Sequence, residues 1–150
     1  GGLEGKFSQG GYYEGKNCLD DGALSDFSSR QAMEQAGWSF NWTDDFAFKP
    51  TQFQDYVPQK SYWGLSMSGV GRVSVVLRGE GVVLLDFGNL LGSPGSRVRA
   101  LLNRRELAHA GPSVTSTQVS AVFSDGDTLS VGEAPMGILV ISRVWIECGS

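Results

Sequence analysis

The chain has 150 residues, enough for one domain with a buried core. Its formal net charge is −4 and its basic residues form no long run, which argues against nucleic acid as a partner. No apolar stretch is long enough to cross a membrane as a helix, since the longest, Ile138-Leu139-Val140-Ile141, is strand-sized.

Residues 1–17 are glycine-rich and polar, with Tyr12 and Tyr13 as the large side chains. They read as an extended arm ahead of a single domain over residues 18–150. The start at Gly1-Gly2-Leu3, without Met, reads as that of a processed mature form. Two cysteines follow far apart, Cys18 and Cys148. Zinc wants closely spaced pairs, so the expectation is a disulfide tying the first segment to the last strand. Closing so long a loop is worth roughly 3–5 kcal/mol and implies an oxidising compartment, either secreted or an organelle lumen. The alternative is a pair of buried free thiols. The sequon Asn41-Trp42-Thr43 makes Asn41 a candidate glycosylation site, in keeping with secretion.

One helix is predicted over Ser29–Ala36. Ser28 and Gln31 form a capping box ahead of it, and Gly37 stands where a left-handed C-terminal cap is wanted. Phe27, Ala32 and Met33 would pack it onto the rest. Residues 38–63 are aromatic and broken by Pro50 and Pro58, which suggests one or two short strands joined by a long loop. From Tyr62 the period becomes two. Val73, Val75 and Leu77 form one inward set; Val83, Leu85 and Phe87 the next; then Val98, Ala100 and Leu102; then Val119, Ala121 and Phe123. Leu129 and Val131 follow, then separate runs at 138–141 and 144–148. Gly79-Glu80-Gly81 and Asp125-Gly126 read as hairpin turns, and Asn103-Arg104-Arg105-Glu106 as a turn into a short strand near Leu107. Regular strands with no βαβ alternation indicate an all-β antiparallel sandwich. The glycines of "GVGRVSVVLRGEGVVLLDFGN" are then corners. A phosphate loop would need them between a strand and a helix.

Three stretches carry a resemblance: "GVVLLDFGN" at 81–89, "VRALLNRREL" at 98–107 and "GDTLSVGEAPMGILVISRVWIEC" at 126–148. They are similar to the galactose-binding and carbohydrate-binding-module class of jelly-roll modules, found in marine algae and other eukaryotes. The resemblance implies an antiparallel β-sandwich of jelly-roll type with one short N-terminal helix. It departs where Asn103-Arg104 replaces the usual Asn-Gly and where Leu90 stands in place of a frequent Cys.

Candidate sites are of several kinds. His109 is the single histidine, beside Gly111-Pro112, and no G-x-S-x-G elbow accompanies it. The carboxylates Asp44, Asp45, Glu80, Asp86, Asp125, Asp127, Glu133 and Glu147 supply the groups a glycosidase uses, without a sequence rule that pairs them. Asp125 and Asp127 with Glu133 are the best calcium candidates, against a plain turn. Tyr12, Tyr13, Trp42, Tyr62 and Trp63, with Asp44 as a polar neighbour, could stack on sugar rings or centre a protein contact. The expectation is a non-catalytic interaction module without a cofactor. Its leading form is an accessory structural subunit of a larger assembly, for instance on the lumenal side of an algal membrane complex. A secreted carbohydrate-binding module is the alternative, and a small glycoside-active enzyme the third reading.

Overall fold

The side chains expected to face inward do so. Val73, Val75, Leu77, Val83, Leu85, Phe87, Val98, Ala100, Leu102, Ala121, Phe123, Leu129 and Val131 are buried in one core, and Val119 packs against it half-buried. The computed structural model describes residues 27–42, 49–56, 59–132 and 137–148, with side chains over 27–42, 64–90, 93–132 and 137–147. Residues 1–17, Cys18, Asp44, Glu133 and the side chain of Cys148 therefore lie outside the description, and with them the arm and the disulfide.

Among the described residues there is one helix, α1 (Arg30–Ala36), and ten strands. The strands are β1 (Trp38–Trp42), β2 (Lys49–Tyr56), β3 (Gln59–Ser68), β4 (Gly71–Val76), β5 (Gly81–Gly92), β6 (Val98–Leu102), β7 (Arg105–Ala110), β8 (Thr117–Phe123), β9 (Thr128–Gly132) and β10 (Gly137–Cys148). They form two packed five-stranded sheets, ordered β1-β4-β9-β6-β7 and β2-β3-β10-β5-β8. Every pairing is antiparallel. From β3 to β10 the chain changes sheet at every connection except the β6–β7 hairpin. The sheets β3-β10-β5-β8 and β4-β9-β6-β7 are the double Greek key of a jelly roll, with β1 and β2 added at one side.

Several local expectations need correcting. Gly79-Glu80-Gly81 and Asp125-Gly126 are not hairpins, because each joins strands of opposite sheets. Both connections use positive φ, at Gly79 (80°) and Gly126 (91°), the same demand a hairpin makes. The true turn is at Asn103, whose φ of 56° is left-handed in a residue that tolerates it. Residues 38–63 supply three strands, with Pro50 admitted because β2 is an edge. The last two runs form one strand. The helix cap is Ser29 rather than Ser28: its hydroxyl accepts the Ala32 N–H at 3.0 Å. Gly37 closes the helix with φ 111° as expected, and Met33 and Phe27 are fully buried. A seven-residue helix is marginal alone, so the caps and this burial hold it.

Two polar ties hold the connections. At the first, Asp127 accepts from Asn103 Nδ2 (3.0 Å) and from the Ser124 N–H (2.9 Å), while Asp125 accepts from the Gly79 N–H (2.7 Å). Three connections, after β4, β6 and β8, are thus bound together. At the second, fully buried Asn89 donates to Ser96 Oγ (2.9 Å) and accepts from the Ile138 N–H (3.2 Å), and its own N–H bonds Val114 O (2.7 Å).

The hydrogen bonds from Ser124 and Asn103 hold the Asp127 carboxyl below its ordinary value of 3.8. A lowered folded pKa gives stability that is present above the unfolded value and is lost as pH falls through the folded one. Asp127→Asn should therefore melt below wild type at neutral pH, and the gap should close as pH falls through the acid range below the ordinary value of 3.8. Thermal melts across that range check this; a gap that persists at the acid end contradicts it.

Candidate functional site

The outer face of the β10-β5-β8 part of the sheet carries the most ligand-like arrangement among the described residues. It is created by a bulge. Ile141 pairs with Phe87 and Arg143 with Asp86, so two successive β5 residues face 141 and 143, and Ser142 is the extra residue. The bulge switches the alternation of β10. Leu139 and Ile141 point inward before it, and Val144 and Ile146 after it. Arg143, Trp145 and Glu147 are thereby turned outward.

Register then sets two outward-facing rows across the three strands. Arg143, Asp86 and Gln118 form one; Trp145, Leu84 and Ser120 form the next. Adjacent strands lie about 4.8 Å apart, so each row spans roughly 10 Å. A groove of about 220 Å³ lies here, bordered by Leu84, Asp86, Gln118, Ser120 and Trp145. Asp86 is only 9% exposed and accepts from Ser116 Oγ at 2.8 Å. The Arg143 guanidinium sits 5.3 Å from the Trp145 ring centroid, within cation–π range, and partial burial lowers its pKa from the ordinary arginine value. One aromatic, one aliphatic side chain and several hydrogen-bonding groups therefore converge on a shallow, open groove.

The two carboxylates of this face are not spaced as a glycosidase pair. Asp86 and Glu147 share the face, but Glu147 pairs with Val82, four residues from Asp86 along β5. That is about 13 Å at 3.3 Å per residue, beyond the roughly 5–10 Å that glycosidase carboxyls need.

The residues singled out from sequence fall elsewhere. Trp42 is half-buried, packs on the core and donates its indole N–H to Ser68 O at 2.7 Å. Asn41 stands exposed beside it on β1. Tyr62 and Trp63 lie on β3, opposite Phe53 and Gln52 of β2; their side chains, like Tyr12, Tyr13 and Asp44, are outside the described residues. Asp125 and Asp127 serve the loop tie above. Among the described residues no group of three or more His, Cys, Asp or Glu side chains is placed to hold a metal. His109 is exposed on β7, its Nδ1 3.4 Å from Glu106 Oε2. Glu106 is also bound by Arg99 at 2.6 Å, and that bond with the histidine beside it lowers its pKa.

Trp145, Arg143 and Leu84 were missed as site residues. No parity signal marks them, because residues 138–141 and 144–146 are apolar at every position. No helix of the described residues is long and apolar enough to cross a membrane. No family model matches this chain, and no curated protein matches it.

Proposed function

We propose that the protein is a non-catalytic carbohydrate-binding module whose ligand lies in the groove on the outer face of β10, β5 and β8. The observation that supports this most is the convergence of Trp145 with Asp86, Gln118 and Ser120 on one open surface. The apolar face of a sugar ring can pack on an indole and on Leu84. Its hydroxyls can bond the carboxylate, amide and hydroxyl around them. The groove is smaller than the usual ligand cleft, which suits one ring of a longer chain. A secreted or lumenal setting accompanies this reading, on the expected Cys18–Cys148 bridge and on the exposure of Asn41 at its sequon.

Retention on a panel of immobilised polysaccharides, compared for wild type and Trp145→Ala, tests the proposal. Loss of the ring should weaken retention at least about tenfold, some 1.4 kcal/mol, with an unchanged circular dichroism spectrum. Full retention by the variant sinks the site. A second reading, an accessory subunit of a larger assembly, is favoured by Val122, which is 74% exposed on an edge strand. A native mass far above 16.1 kDa, with other proteins bound, would favour it.

A further inference from the structure

The strand β8 ends its sheet: all its described strand pairing goes to β5, while β7 of the facing sheet approaches it without pairing. Alternate residues of an edge strand turn their N–H and C=O groups outward, open to another chain. Most edges carry something that blunts this. Among the other edge strands, β7 has Arg105, Glu106 and His109, and β2 has Lys49, Pro50 and Asp55, while β1 is only five residues long. None of these devices is present on β8. Its seven residues, TQVSAVF, include no charge, no proline and no bulge. Val122 on its outer side is 74% exposed, against 42–45% for the next most exposed large apolar residues, Val70, Val76 and Val114.

We infer that β8 pairs antiparallel with β8 of a second copy of this chain, about a two-fold axis at Ser120. The occupant is a second copy because the strand complements itself. That register sets Ser120 against Ser120, Val119 against Ala121, and Gln118 against Val122. The exposed valine then gains the aliphatic part of a glutamine as its neighbour. The chain as a whole is acidic, with a net charge of −4, so two copies repel over most surfaces. Along β8 no like charges meet. The cleft beside it, about 430 Å³ between β7 and β8, is rimmed by one charge of each sign, Arg105 and Glu106.

The pairing has a functional consequence. Ser120 and Gln118 also border the groove over Leu84. A continuous ten-stranded sheet would place the two grooves side by side on one face, with their centres three strand spacings apart, roughly 14 Å. One extended polymer could then engage both, and linked engagement raises avidity without new contacts. The dimer itself does not depend on any sugar.

Analytical ultracentrifugation of the full chain over a range of concentrations, without ligand, tests the inference. Wild type should move reversibly toward twice its 16.1 kDa. Ser120→Lys places two lysines opposite each other at the axis and should weaken the dimer by roughly tenfold or more, with an unchanged melting temperature. Should that variant fold poorly, Val122→Lys, at the more exposed position, replaces it. Ser39→Lys, on an exposed position of β1, should dimerise as wild type does. A wild-type chain that stays monomeric at millimolar concentration overturns the inference. So does a dimer that Ser120→Lys and Val122→Lys leave intact.

Discussion

Gly88→Ala is expected to lose roughly 3–5 kcal/mol, a large part of the stability of a domain this size. Gly88 lies on β5, where the chain at Thr115 crosses it. An added Cβ would stand 2.2 Å from Thr115 O, 2.4 Å from its carbonyl carbon and 2.9 Å from its Cα. All three are backbone atoms, so no side-chain rotation relieves the clash. The crossing segment must shift, and it is held next door by the 2.7 Å bond from the Asn89 N–H to Val114 O. Urea unfolding measures the loss. Gly111→Ala is the control, since nothing lies within 4 Å of its added Cβ; it should stay within about 0.5 kcal/mol of wild type. Equal behaviour of the two variants would refute the crossing.

The second large effect belongs to the neighbouring residue. Asn89 is completely buried and links three parts of the chain through its side chain and its N–H. Truncation in Asn89→Ala would strand the Ile138 N–H and the Ser96 hydroxyl without partners and leave a small cavity. A buried unpaired group costs about 1–3 kcal/mol, and the lost volume adds to it, so a total of roughly 2–4 kcal/mol is expected. Hydrogen exchange should locate the damage: amides at the start of β10 and near Ser96 should lose protection before those of β4 and β9. Uniform loss of protection across both sheets would contradict this local role.

These two residues are the "GN" of the first stretch that carries the resemblance to jelly-roll modules. Asn103 and Asp127, from the other two stretches, bond to each other at 3.0 Å. The quoted motifs are therefore the polar ties of the fold.

The inward faces from Val73 to Val131 were legible because apolar residues recur there with period two, although Val76, Val82, Leu84, Leu101 and Val122 break the alternation on the other face. The helix was legible through Gly37 at its end, while its cap is Ser29, one residue after the expected Ser28. Which strands pair was not. A crossing between sheets and a hairpin demand the same positive φ, so Gly79 and Gly126 look alike in either role. The candidate site was hidden for another reason. Trp145 sits among Val144 and Ile146 in an apolar run, and a single buried bulge decides which of them faces out. Trp42, prominent in sequence, is drawn inward by its bond to Ser68 O and by core contacts.

On the proposed function, the outer face of β10, β5 and β8 binds carbohydrate. Titration of ¹⁵N-labelled protein with oligosaccharides drawn from a retained polysaccharide tests it most directly. Saturable shifts are expected at the Trp145 indole, the Gln118 side-chain amide and the backbone of Leu84, Asp86 and Ser120. Saturable binding that leaves these signals in place and moves others would contradict it, as would the absence of binding to every glycan offered.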